Sequence, residues 1–143
     1  MMDFCYSLDN FMAQIRFLYK RVEGILQPII PIGIKVETAW MPINVYVDSG
    51  AAYTILKASI AEEAGLNYRT GTRTNLQVGN GNLMPIYLHE LEIQLGTERF
   101  LCPIGFSANL GVKFNVLGKT GIFDRFKVCF QQAQGCLYFE TDE

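Results

Sequence analysis

Hydrophobic and polar positions alternate with a period of two over much of the chain, and helical spacing is scarce. From Ile29, the runs IIPIGIKV, INVYV (Ile43–Val47) and YTIL (Tyr53–Leu56) are rich in β-branched and aromatic residues and are broken by Pro and Gly. That is strand and hairpin material. Thr74 to Leu95 reads as two strands about Gly79-Asn80-Gly81, because glycines flanking Asn suit a tight hairpin turn. In its second half Leu91, Ile93 and Leu95 alternate with Glu90, Glu92 and Gln94, a strand with one wet face. Arg99–Ile104 returns after Gly96, and Phe114–Leu117 adds a short strand. Phe126–Phe130 is expected to pair with Cys136–Glu140 across Gln134-Gly135.

Two short helices are expected within this β pattern. Ala58–Ala64 (ASIAEEA) is stopped by Gly65, and Lys119–Arg125 forms a second helical stretch. Residues 9–22 place Phe11, Met12, Ile15, Leu18, Tyr19 and Val22 near helical spacing, yet IRFLYK within them also alternates as a strand. Periodicity leaves both readings open. The fold class is therefore all-β with one or two short helices. An N-terminal extension over residues 1–15 precedes a single domain over 16–143.

Composition narrows the function classes. A chain of 143 residues is one ordinary domain, and at 50% hydrophobic and 18% charged it can bury a core. With a formal charge of -2 and no basic run longer than Lys20-Arg21, nucleic-acid binding is not expected. The start, MMDFCYSLDNFMAQIR, lacks the basic and apolar regions of a leader, and the longest uncharged stretches are interrupted by Pro or Gly. A cytoplasmic protein with no membrane span is the expectation. Cys5, Cys102, Cys129 and Cys136 form no CxxC pair, and with the one His89 they lack zinc-site spacing, so buried or free thiols are expected.

Candidate chemistry concentrates in Asn44–Leu56, NVYVDSGAAYTIL, where Asp48-Ser49-Gly50-Ala51 joins two apolar strands. A carboxylate at such a turn is partly shielded from water, and Gly50 lets another backbone approach. An aspartate before glycine can equally cap its own turn. A second segment, Phe114–Phe130, carries an apolar strand into Leu117-Gly118. Other motifs fail on spacing. Gly79-Asn80-Gly81 has Met84 where a dinucleotide fingerprint needs its third glycine, and Gly118-Lys119-Thr120 has Lys113 where a phosphate loop needs its first. No Gly-x-Ser-x-Gly elbow surrounds a serine that His89 could serve, so His89 reads as a strand residue.

Taken in order, the apolar strand Val45–Val47, Asp48–Ala51, the glycine-tipped hairpin Val78–Asn82 and Val116–Gly118 resemble the retropepsin-like aspartic proteases. ILQPIIPI, VDSGA and LGKTGIFDRF are similar to the bacterial single-domain members, and the likeness runs over about residues 16 to 140. The resemblance implies a β half-barrel with one catalytic aspartate, Asp48, that becomes an endopeptidase when two copies meet about a twofold axis. Two carboxylates about 3 Å apart cannot both ionise, so one acts as base toward a bridging water while the other, protonated, serves the peptide carbonyl. It also implies that Val78, Gly79, Asn80, Gly81 and Asn82 form a flap over a peptide or protein substrate. Ser49, Gly50 and Ala51 would form the active-site loop, with Gly50 along the substrate backbone and Ser49 linking the two active-site loops, and Leu117 and Gly118 would form a structural loop near the site. No metal or cofactor is implied. The sequence departs from the retroviral pattern at Ala52, where an acidic residue is common, and at Lys119, where arginine is. A catalytically silent, dimerising peptide-binding or scaffold module of the same fold is the alternative.

Overall fold

A computed structural model describes residues 14–109 and 114–141. Twelve strands run through the described residues: β1 (Gln14–Leu18), β2 (Lys20–Val22), β3 (Ile25–Gln27), β4 (Ile29–Val36), β5 (Ala39–Val47), β6 (Thr54–Lys57), β7 (Thr72–Gln77), β8 (Leu83–Leu95), β9 (Glu98–Ser107), β10 (Asn115–Leu117), β11 (Phe126–Gln131) and β12 (Cys136–Thr141). One helix, α1 (Ala58–Glu63), follows β6. The fold is all-β, as its alternating pattern predicts.

From Gln14 onward the open N-terminal segment is strand rather than helix. Residues 9–13 of the helical alternative lie outside the described residues. Ile15 and Phe17 turn inward while Gln14, Arg16 and Leu18 are exposed, and β12 supplies the backbone partners through pairs such as Phe17↔Leu137. Phe17 meets Phe139 edge-on, with ring centroids 5.6 Å apart. The expected pairing of β11 with β12 is present, Phe130 opposite Leu137 and Val128 opposite Phe139, so β1, β12 and β11 form a small sheet.

The main sheet runs β4-β5-β10-β6-β9-β8-β7, and it closes on itself because β8 also pairs with β4 at Gly33↔Gln94 and Ile34↔Ile93. One chain thus completes its own barrel. Ile30, Ile34, Leu56, Ile93, Leu95, Ile104, Phe106 and Leu117 fill it and are fully buried, each contributing about 2 kcal/mol by removal from water. Helix α1 seals one side with Ala58 and Ala61. It ends where expected, since the Gly65 and Leu66 amides donate back to Glu62 and Ala61.

The second helix expected, over Lys119–Arg125, is instead a pair of turns. Phe123 donates to Lys119 and Phe126 to Ile122 with helical spacing, but Gly121 between them has φ +85°. A Cβ there would also lie 2.8 Å from the Cys102 sulfur, so close packing on β9 selects glycine and stops the helix. Ile122 anchors the segment in the core. Asp124 accepts from the Gly121 amide at 3.1 Å, and the Arg125 guanidinium lies over the Phe100 ring. Cys102 and Cys136 are buried free thiols, as expected, whereas Cys129 is disulfide-bonded and departs from that expectation.

Candidate active site

The position of Asp48 follows from where β10 enters the sheet. β10 is parallel to β5 through Val116↔Tyr46 and Leu117↔Val47, and antiparallel to β6 through Val116↔Ile55. The two strands that flank the loop 48–53 therefore do not pair with each other. Their chain must leave the sheet at Asp48, swing across the end of β10 and return at Thr54.

The last residue of β10 and the three that follow it brace that loop and its return into β6 from behind. Leu117 O accepts from the Asp48 amide at 3.0 Å, the Lys119 amide donates to Ala51 O at 2.9 Å, and the Thr120 amide donates to Ala52 O at 3.0 Å. Between them the Gly118 amide donates to the Thr54 hydroxyl at 3.1 Å. Gly118 is the residue at which nothing larger fits, because a Cβ would collide with the Tyr53 carbonyl and approach Ala51 O to 2.9 Å. Within the loop, one carboxylate oxygen of Asp48 accepts from the Gly50 amide at 2.8 Å, and the Ala51 amide donates to Asp48 O. Self-capping of the turn and exposure to a cleft are thus compatible, since a carboxylate keeps a second oxygen for other partners.

Opposite this loop stands the hairpin of β7 and β8. Its tip is closed by Val78 N donating to Asn82 O at 2.8 Å and Gly81 N donating to Val78 O, while Asn80 Oδ1 accepts from the Asn82 amide. Loop and hairpin enclose a cleft of about 960 Å³. Asp48, Gly50, Ala51, Val78, Gly79, Asn80 and Asn82 all line it. Of the remaining expected residues, Ser49 and Gly81 are exposed beside the cleft without lining it, and Leu117 and Gly118 are buried behind the loop.

Residues that the sequence reading did not place in the cleft, Val116 of the Val116–Gly118 motif among them, complete the walls. Ile55, Leu76, Leu83, Met84, Pro85 and Val116 make them apolar, and Gln77 and Asn109 add uncharged polar groups. Leu76 faces Met84 across the hairpin, a pairing the alternation of β7 and β8 could have located. Among the described residues lining the cleft, Asp48 is the one that carries a charge. Ile55, Ile86 and Val116 form a small buried cluster with Leu76, Met84 and Ala51, apart from the barrel core.

Among the described residues no cluster of His, Cys, Asp and Glu could hold a metal ion, and no helix is long and apolar enough to cross a membrane. His89 lies in β8, half-buried, with Nε2 at 2.7 Å from Tyr68 O, so that nitrogen donates to a carbonyl. It serves a 3-10 turn at Tyr68–Thr70 and takes no part in a serine triad.

A closed all-β barrel with a loop of this kind beneath a glycine-tipped hairpin is the architecture of aspartic proteases of the retropepsin class. The model of a family described as aspartyl protease matches residues 34–101, a stretch that holds both Asp48 and the hairpin. The crystal structure of a retropepsin-like aspartic protease from Rickettsia conorii superposes with a TM-score of 0.61 at 16% identity, covering 96% of this chain and 98% of that one. The EIAV protease in complex with the inhibitor HBY-793 aligns at 16% identity over 70% of this chain and 88% of that one, with a TM-score of 0.47. No curated protein matches the chain in sequence. The chain has the retropepsin-like fold, and the resemblance read from its sequence is borne out.

Proposed function

We propose that the protein is an aspartic endopeptidase whose active form is a homodimer, with Asp48 of each copy meeting at the twofold axis. The observation that carries this reading is the single carboxylate among the described residues that line the cleft, held by Leu117–Thr120 beneath the hairpin tip. One carboxylate cannot be both base and acid in the same step, and the chain has one Asp-Ser-Gly triplet. A twofold axis through the site supplies the second group without a second domain.

In the dimer the ionised Asp48 draws a proton from a water lying between the two carboxyls, and that water attacks the peptide carbonyl. The protonated partner donates to the carbonyl oxygen and then helps the amine depart. Val78–Asn82 close as a flap, and the amides of the hairpin offer pairing to an extended substrate backbone. Ser49, exposed on the loop, would bridge to the second copy.

Incubating a mixed peptide library with the wild-type and Asp48→Asn proteins, from mildly acidic to neutral pH and at several protein concentrations, tests the proposal. Cleavage that disappears in the variant and rises faster than linearly with concentration is expected. Silence of both proteins at every pH, with both dimeric, would refute the peptidase and favour the scaffold module.

A further inference from the structure

We infer that Thr54 is a positioning residue for Asp48, acting through the buried hydroxyl that accepts from the Gly118 amide; this rests on the peptidase reading for its kinetic consequence. Thr54 is fully buried at the start of β6, and its side chain faces the chain that leaves β10. Of residues 117 to 120, three bond backbone atoms of the Asp48 loop. Gly118 is the exception. Its backbone presses so closely on Tyr53 O that a Cβ would collide there, and its amide reaches the Thr54 side chain instead.

The consequence runs along a short covalent path. Gly118 is bonded to Leu117, and Leu117 O holds the Asp48 amide at 3.0 Å. Remove the hydroxyl acceptor and the Gly118 amide is left buried without a partner, so the backbone shifts to satisfy it. Leu117 O then moves, and Asp48 moves with it. Valine has nearly the shape of threonine but lacks the acceptor, whereas serine keeps the acceptor and lacks one methyl. These two substitutions separate the hydrogen bond from the packing.

Displacing a reacting group by about an ångström typically lowers turnover by about a hundredfold. Thr54→Val is expected to lower kcat by roughly ten- to a hundredfold with KM changed less than about threefold, because the cleft walls keep their residues. Thr54→Ser is expected within about threefold of wild type in both constants. Wild-type kcat in Thr54→Val, or a loss that Thr54→Ser shares in full, overturns the inference.

Amide hydrogen exchange followed by NMR reads the same linkage without turnover, so it decides the matter even if the wild type cleaves nothing and the peptidase reading falls. Exchange at Asp48 and Gly118 is expected to rise at least about tenfold in Thr54→Val and to stay near wild type in Thr54→Ser. Unchanged rates in Thr54→Val refute the positioning role. Should Thr54→Val fail to fold, the wild-type protein decides: protection of the Gly118 amide equal to that of Lys119 and Thr120 supports the bond, and exchange as fast as an exposed loop overturns it.

Discussion

Gly118→Ala is the substitution whose cost the structure defines most sharply. The added Cβ would overlap the Tyr53 carbonyl and lie 2.9 Å from Ala51 O, and both obstacles are backbone rather than flexible side-chain ends. Relief requires the chain after β10 to back away from the loop. That movement stretches the Lys119–Ala51 and Thr120–Ala52 hydrogen bonds, now 2.9 and 3.0 Å. Overpacking costs about 1–3 kcal/mol and each weakened bond roughly 0.5–1 kcal/mol, so a loss of about 2–5 kcal/mol is expected. For a domain of this size roughly 3–5 °C of Tm goes with each kcal/mol, which predicts a fall of about 6–25 °C. Thermal unfolding at one fixed protein concentration measures it, because a dimer's Tm depends on concentration. Gly79→Ala is the control, since a Cβ there meets nothing within 4 Å and should change stability by less than about 0.5 kcal/mol. Equal Tm values for the two variants would refute the steric reasoning.

Two further predictions concern other parts of the fold. Burial, with the Glu90 and Asp124 charges adding to it, pushes the Cys102 thiol from an ordinary value of 9.0 up to about 12. It should therefore resist alkylation in the native protein at pH 8, checked by mass mapping of labelled cysteines. Its sign with pH also follows: above about 9 the unfolded chain releases this proton and the folded one retains it. Stability should then fall with rising pH by about 1.4 kcal/mol per unit from this group until about pH 12, and denaturant titrations that show no such fall would contradict it. Asn80→Ala removes the side chain that accepts from the Asn82 amide at the hairpin tip. On the proposed function, the loosened flap should raise KM severalfold and leave Tm within about 1–2 °C, read from steady-state kinetics beside thermal unfolding.

What was legible in the sequence is what local chemistry determines. Alternation located β4, β5, β8 and β9, and the Gly-Asn-Gly turn located the hairpin, because side-chain period and turn conformation are encoded within a few residues. The Asp48 loop was visible because an apolar strand on each side framed it. The rest depends on distant parts of the chain. β1 looked equally like a helix until β12 supplied its partners, and Lys119–Arg125 has helical spacing that only the contact between Gly121 and Cys102 disrupts. Thr54 reads as one more β-branched strand residue; the amide of Gly118 that gives its hydroxyl a purpose arrives from 64 positions away. The apolar walls at Ile55 and Val116 stayed hidden for the same reason.

The three-residue strand β10 explains why these hidden features converge on one place. The sequence locates it as a short strand over Phe114–Leu117, but not its neighbours: by lying between β5 and β6 it forces the chain out of the sheet at Asp48, and with the residues that follow it holds the resulting loop from behind. The same strand contributes Val116 to the small cluster with Ile55 and Ile86, on which Leu76 and Met84 at the hairpin base also pack. Floor and roof of the cleft therefore share a core of their own, apart from the barrel interior. A displacement of β10 is felt at the carboxylate through backbone bonds and at the flap through side-chain packing. The bulk of the barrel, with its separate core, can stay in place while that happens.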